Sequence, residues 1–322
     1  MSKKLKILVI RFSSIGDIVL TTPIVRCIKL QLGAEIDYLT NSSYESLINK
    51  NKYLNKVHIY NDNFKSTLKN LKEQKYDYII DLQNNFRSIL FCLFLSAKVF
   101  RFKKNTLKRL WLIYTGNNRL NNHIVDRYFT AVLPLNVIKD KKKLDFICID
   151  QKITGFDVSS NYISWCIGGS YEGKKLSPLQ ISNTINEIKK PVVLIGGDGD
   201  QEISSQVLRL CNYKEVFDFC GKTNLMQSAF LIKNSQLLLT NDTGMMHIAA
   251  SFSMPIISFW GCTKPSLGFS PYMSSSKSVK IITPTTFRPC SKHGKTCRVK
   301  QEGCIKNISS KKIIEEVNKL IK

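Results

Sequence analysis

The chain has 322 residues and a mass of 36.8 kDa, about twice a common domain length, so two compact domains are expected. Apolar residues make up 43% and charged residues 22%, which excludes a disordered chain, and no apolar run reaches the roughly 18 residues needed to cross a bilayer. Forty-eight basic against 24 acidic residues leave a net charge of +24, a field that favours nucleic acid, anionic lipid or phosphorylated ligands. Only ten of the basic residues are Arg. A lysine-heavy surface can also accumulate without any ligand, and no Arg-rich base-reading element stands out, so no nucleic-acid partner is expected, with a basic nucleic-acid-binding α/β protein kept as the alternative of a different class.

Short β-branched runs alternate with helical stretches, the pattern of βαβ units and parallel sheets. Lys6–Arg11 reads as a buried strand, Asp17–Leu32 as a helix stopped by Gly33, and Glu35–Thr40 as a second strand. Arg11 interrupts the first apolar run and no small-residue cleavage site follows, so the beginning of the sequence does not read as a secretory signal. Strands at Val57–Tyr60 and Tyr78–Leu82 flank a Lys-rich amphipathic helix. The stretch from Lys139 to Asn161 is charged, then polar, without a strong period, and is the expected joint between domains. Beyond it, Ile163–Ile167, Val192–Ile195, Val216–Phe219, Leu237–Asn241 and Ile256–Phe259 read as strands with helices between them. Residues 309–322 form a closing helix capped by Ser309 or Ser310, with Ile313, Ile314, Val317, Leu320 and Ile321 on one side. The domains are therefore expected at 1–155 and 156–308, two Rossmann-like α/β folds facing a central cleft, with ligands beyond the carboxyl ends of the strands.

Six cysteines, Cys27, Cys92, Cys148, Cys166, Cys211 and Cys220, sit singly in apolar runs, as reduced buried thiols do. Cys290, Cys297 and Cys304 are evenly spaced, with His293 among them, but lack the close C-x2-C pair of most zinc sites. Their spacing favours a packed or redox-sensitive loop over a metal site.

Four polar turns carry the candidate chemistry. The first, Arg11-Phe12-Ser13-Ser14-Ile15-Gly16-Asp17, has neither the G-x-G-x-x-G spacing of dinucleotide binders nor a Walker lysine. Its carboxylate can be a helix cap in an S-x-x-D arrangement, or a group presented to a ligand. In Asn241-Asp242-Thr243-Gly244-Met245-Met246-His247, a strand ends and a helix begins, so first-turn amides can bind an anion while the Asp242 carboxylate caps the helix. His247 lies one turn in. Gly168-Gly169-Ser170-Tyr171-Glu172-Gly173-Lys174-Lys175 is flexible and basic, suited to gripping a diphosphate. Asp198-Gly199-Asp200 has the D-x-D form of some metal-dependent sugar-nucleotide enzymes, but Asp200 can equally open the next helix.

These turns, with Thr21-Thr22-Pro23, Gly221-Lys222-Thr223 and Trp260-Gly261, occur in one order that resembles glycosyltransferase family 9, the ADP-heptose–lipopolysaccharide heptosyltransferases. The stretches Asp81-Leu82-Gln83-Asn84-Asn85-Phe86-Arg87-Ser88 and His123-Ile124-Val125-Asp126-Arg127-Tyr128 also look like a branch of that family. The resemblance implies the B-type glycosyltransferase fold, with the acceptor on the first domain and the sugar nucleotide on the second. It implies inverting transfer with ADP-heptose as a substrate and no metal or other cofactor; the same fold with a different nucleotide-sugar donor is the alternative. Asp17 matches the family's catalytic base, Lys174 its phosphate-binding lysine, and Asp242, Thr243, Gly244 and His247 its diphosphate turn. Ser170 and Met246 are expected beside the donor, and Asp200 or Glu202 at its ribose. Ser13, Ser14, Gly16 and Arg87 are expected at a lipid-linked, anionic oligosaccharide acceptor. The residues after the lysine, Lys175-Leu176-Ser177-Pro178, are shifted by one from the family pattern, which leaves Lys174 and Lys175 as alternatives. The acceptor implies a cytoplasmic enzyme touching the inner face of the membrane. Arg101, Lys103, Lys104, Lys108 and Arg109 interleave with Phe100, Phe102, Leu107, Leu110 and Trp111 as a stretch suited either to that interface or to core packing.

Overall fold

A computed structural model describes residues 4–120, 122–299 and 303–321; the last residue of the expected closing helix lies outside them. The chain divides into two compact units, Met1–Lys104 with Asn122–Ile147, and Asn105–Asn121 with Cys148–Lys322.

The first unit is built on a parallel sheet of β1 (Lys6–Ile10), β2 (Glu35–Asn41), β3 (Lys56–Tyr60), β4 (Tyr78–Asp81) and β5 (Lys98–Arg101), in the order β3-β2-β1-β4-β5. Its helices are α1 (Ile15–Leu32), α2 (Phe64–Glu73), α3 (Phe86–Phe94) and α5 (Ile124–Phe129), and α4 (Thr106–Thr115) falls in the second unit. β1 is the central strand and its residues Ile7, Leu8, Val9 and Ile10 are fully buried, as a strand covered on both faces requires. Ile10 pairs with Leu39 on one side and Asp81 on the other, so the carboxyl ends of β1, β2 and β4 lie level. α1 is buried along most of its length, including Arg26, which bonds to Asp140, Asp145 and the Lys143 carbonyl and so ties the irregular 140–145 segment to the helix. At the opposite, amino end of the sheet, Asp37 accepts from Tyr76 at 2.7 Å and contacts His58 at 3.0 Å. Burial works to raise the Asp37 pKa, but these two partners hold it below the ordinary carboxylate value.

The second unit contains β6 (Ile163–Cys166), β7 (Val192–Ile195), β8 (Val216–Asp218), β9 (Leu237–Asn241), β10 (Ile256–Trp260) and β11 (Val279–Ile282), all parallel, in the order β11-β10-β9-β6-β7-β8. Read from β6, this is the 3-2-1-4-5-6 order of a dinucleotide-type Rossmann sheet. Helices α6 (Pro178–Ile188), α7 (Gln201–Leu210), α8 (Leu225–Asn234), α9 (Gly244–Ser251) and α10 (Ser310–Leu320) follow in sequence. α10 is capped by Ser309, which accepts from the Lys312 amide, and its Ile313 and Val317 are buried against the core of Trp165, Ile181, Leu239 and Phe259. In α4, Leu112 and Ile113 turn inward and pack with Leu120, Leu267 and Phe269.

Two strands were not read from the sequence. β5 has a charged residue at each end and only half-buried Val99 and Phe100 between them, and β11 alternates at a sheet edge with Lys280 exposed. Both lack the continuous apolar run that marks a buried parallel strand.

Candidate active site

In an open parallel sheet, ligands bind beyond the carboxyl ends of strands, where the strand order reverses direction. In the first unit that reversal lies between β1 and β4, and the turn after β1 carries Ser13, Ser14, Gly16 and Asp17. Ser14 is the N-cap of α1, yet its side chain makes no capping bond; its hydroxyl donates to Asp17 Oδ2 at 3.2 Å. The S-x-x-D stretch is therefore not a closed capping box. Instead Asp17 Oδ2 meets Arg11 Nη2 at 2.7 Å, and Tyr128, from α5, donates its hydroxyl to Asp17 Oδ1 at 3.0 Å. Arg11 is itself fixed, donating from Nε to the Ser13 carbonyl and from Nη1 to the Leu82 carbonyl, each at 2.6 Å. Burial acts to lower the Arg11 pKa, but Asp17, Tyr128 and Tyr38 together outweigh it and the net shift is upward. Burial together with the neighbouring Asp17 raises Tyr128 well above the ordinary phenol value, so it stays a neutral donor. The carboxylate is thus oriented at both oxygens, with its side chain 23% exposed.

The turn after β4 is organised by Asp81, which is fully buried and accepts from the amides of Gln83 and Asn84, the Ser88 hydroxyl and Arg101 Nε. Asn85 and Ser88 form a reciprocal cap on α3. This scaffold leaves Arg87 in the first turn of α3, 46% exposed, against the Tyr60 ring and 3.6 Å from Asp62.

In the second unit the reversal lies between β6 and β9. Asn241, buried at the end of β9, donates to the carbonyls of Ile167 and Gly168, both at 2.9 Å, and so clamps the two turns to each other. Thr243, not Asp242, is the N-cap of α9. Asp242 is not the cap that the sequence suggested: its carboxylate meets Lys174 Nζ at 2.8 Å, and the same ammonium donates to the Asp242 carbonyl at 3.1 Å. Lys174 therefore sits beside the start of α9, whose first-turn amides have no partner within the helix. Lys175 points to a different pair, Asp200 at 3.2 Å and Glu172 at 3.4 Å. Asp200 also accepts from the Gly197 amide at 3.0 Å, and a Cβ on Gly168 would lie 2.3 Å from its Oδ2. That close approach explains the glycine. Of the remaining expected donor residues, Ser170 and Glu202 are exposed, whereas Met246 and His247 are buried along α9.

The chain matches the model of glycosyltransferase family 9 (heptosyltransferase) over residues 65–302. It belongs to that family. Among relatives, lipopolysaccharide heptosyltransferase 1 of Campylobacter coli is 24% identical over 289 residues, which cover 80% of this chain and 84% of the relative. Among solved structures, Escherichia coli ADP-heptose lps heptosyltransferase II is similar with a TM-score of 0.74 at 19% identity, over 98% of each chain. The E. coli heptosyltransferase WaaC with ADP gives a TM-score of 0.76 at 14% identity, over 98% of this chain and 99% of that one. The fold expected of a B-type glycosyltransferase is thereby supported, and this family 9 chain is a glycosyltransferase.

Sequence reasoning missed three residues that organise the candidate site. Arg11 read as the strand residue that breaks the first apolar run, Tyr128 lies 111 positions from its partner, and Asn241 read as the last residue of a strand. The turn opening at Arg11, the His123–Tyr128 stretch and the polar residue closing β9 were each singled out in the sequence, but nothing in it joined Arg11 or Tyr128 to Asp17.

Proposed function

We propose that this chain transfers heptose from ADP-heptose to a lipid-linked, phosphorylated lipopolysaccharide inner-core acceptor, with inversion and with no metal ion at the reacting diphosphate. The observation that carries the reading is Asp17, a carboxylate oriented at both oxygens by Arg11 and Tyr128 at the strand-order reversal. A free Asp has a pKa of about 3.9, far below a sugar hydroxyl. Asp17 therefore makes no free alkoxide; it accepts the proton as the acceptor oxygen bonds to the anomeric carbon, while the diphosphate leaves from the opposite face. Ser13, Ser14, Gly16 and Arg87 would face the acceptor, Arg87 meeting one of its phosphates. The leaving diphosphate gains negative charge, and the groups suited to stabilise it are Lys174 and the first-turn amides of α9. Donor entry would break the Lys174–Asp242 pair, exchanging one anion for another. Of the D-x-D pair, Asp200 is already committed to Lys175 and the Gly197 amide, which favours lysine over a divalent ion as the counter-charge. The names of the relatives support heptose and lipopolysaccharide, and the ADP complex of a similar fold supports the nucleotide.

Melting of the full chain with ADP, UDP or GDP, each with and without brief EDTA, tests this reading. At one hundred times its dissociation constant a ligand stabilises the folded state by about 2.7 kcal/mol, which is a shift of roughly 5–10 °C for a unit of this size. A shift with ADP that survives EDTA is the expected result. A shift with another nucleotide alone replaces the donor, and no shift with any of them removes the glycosyl-donor reading.

The same reading places the enzyme at an anionic membrane surface. No helix among the described residues is long and apolar enough to cross a membrane. On α4, however, Leu107, Leu110, Trp111 and Tyr114 form an i, i+3, i+4, i+7 stripe that is exposed, with Leu107 83% accessible. Lys108 is exposed beside it and Arg119 stacks over Trp111, the composition of a helix lying in a lipid interface. The interfacial stretch is narrower than the sequence suggested: Phe102 and Arg109 are buried, Arg101 is held by Asp81 and Lys104 by the Asn84 carbonyl. The double variant Leu107→Glu, Trp111→Glu is expected to lose tenfold or more in co-sedimentation with anionic phospholipid vesicles, since withdrawing one buried Leu alone costs about 1.5–3 kcal/mol. Unchanged partitioning would remove α4 from the interface.

A further inference from the structure

From Cys262, Cys290, Cys297 and Cys304 we infer a second, non-catalytic site: a tetrahedral metal centre of four thiolates that fixes the turn carrying Lys174. The spacing of the last three cysteines gave no close pair. The fourth ligand comes from elsewhere, in Cys262 two residues past β10, and His293 is not one of the four. All four Sγ atoms lie within 4.8 Å of one another, and three of the residues are buried.

The sulfur geometry separates a metal site from disulfides. Cys262 and Cys304 Sγ are 3.8 Å apart, Cys290 and Cys297 Sγ 3.9 Å apart, and none is cross-linked. A disulfide brings sulfurs to about 2.05 Å. A tetrahedron with metal–sulfur bonds of about 2.3 Å has edges of about 3.8 Å. Four thiolates around a divalent ion carry two net negative charges, and a buried anion of that kind calls for a cation nearby. Lys264 is that cation. It is 2% exposed, stands two residues after Cys262, and its ammonium makes no hydrogen bond among the described residues. A lysine buried without a partner is costly, whereas one beside a dianionic centre is matched. Tetrahedral sulfur-only coordination selects zinc or iron over magnesium or calcium, and with four protein ligands no position is left open for substrate.

The centre packs directly on the Glu172–Lys174 turn. The Cys262 amide donates to the Gly173 carbonyl at 3.2 Å, and the Cys290 amide to the Cys262 carbonyl at 2.8 Å. A Cβ on Gly173 would lie 2.5 Å from the Gly294 carbonyl and 2.8 Å from Cys262 Sγ. A Cβ on Gly294 would lie 2.9 Å from Lys174 Cγ. Residues 290–299 contain no helix or strand and few large apolar side chains, so an ion is the natural means of holding them against the turn.

The test is metal content of the full chain, expressed with both zinc and iron in the medium and purified without tag or chelator under anaerobic, reducing conditions. About one zinc or iron per chain is expected, falling at least fivefold in Cys262→Ser and Cys304→Ser but retained in Cys211→Ser, whose thiol lies outside the cluster. Should the serine variants not fold, replacement by cobalt in the wild-type chain supplies the second readout: visible bands of a tetrahedral tetrathiolate centre are expected. Less than a tenth of an ion per chain, octahedral cobalt spectra, or a mass showing two disulfides in the reduced preparation would overturn the site. The metal content does not depend on the glycosyltransferase reading; only the link to Lys174 rests on it. Removing the ion is expected to weaken ADP at least tenfold, and unchanged ADP affinity in the metal-free, folded chain would overturn that link alone.

Discussion

Asp17→Asn is expected to lower kcat by about 10²–10⁴, the usual worth of a positioned proton acceptor, while ADP affinity stays within about threefold. The substitution is close to isosteric. The amide oxygen can still accept from Tyr128, so the shape of the turn is kept while the ability to take a proton is lost. The groups proposed to hold the donor, Lys174 and the start of α9, belong to the other unit. A secondary effect comes from Arg11, which keeps its bonds to the Ser13 and Leu82 carbonyls but loses its charge partner. A modest loss of stability, about 1–3 kcal/mol, should accompany the catalytic defect. Steady-state transfer and calorimetric ADP binding on the same preparation separate the two effects. A kcat within tenfold of wild type would remove Asp17 from the chemistry.

Lys174→Ala should weaken ADP by about 10- to 150-fold, the equivalent of 1.5–3 kcal/mol for a hydrogen bond to a charged group, and lower turnover as well. Two terms act in the same direction. The ammonium is lost as a partner for the diphosphate, and the Asp242 carboxylate it neutralised is left facing the incoming anion. Lys175→Ala removes a partner of Asp200 and Glu172 instead, and ADP affinity is expected to stay within about threefold. Titration of both variants with ADP decides between the neighbours, because a larger effect at Lys175 would reverse the assignment.

The two-sheet architecture was legible because fully covered parallel strands need continuous apolar runs, and those at Lys6–Ile10, Val192–Ile195 and Leu237–Asn241 are hard to mistake. The positions of the polar turns followed from the same runs. The partners of the polar residues did not, since they depend on which distant atoms the fold brings together. Asp17 read locally as a helix cap because Ser14 stands three residues before it, and only the placement of Arg11 and Tyr128 shows where its oxygens point. Asp242 was assigned the cap for the same local reason, yet Lys174, 68 positions away, takes its carboxylate and Thr243 occupies the cap position. Cys262 was not joined to the other three cysteines of its cluster because it stands two residues past β10 and 28 positions before Cys290, so no spacing in the sequence ties it to them.

Segment 105–121 interrupts the first unit in sequence but belongs to the second, and this has a consequence for synthesis on the ribosome. Leu112, Ile113 and Leu120 emerge early, whereas Leu267 and Phe269, which cover them, are made much later. At about 5–20 residues per second, the roughly 150 intervening residues take about 8 to 30 seconds. During that interval the nascent chain displays an unsatisfied apolar helix next to the already exposed stripe of Leu107, Trp111 and Tyr114. A holding chaperone, or an early encounter with lipid, would be most valuable to this protein in that window, before its second half exists.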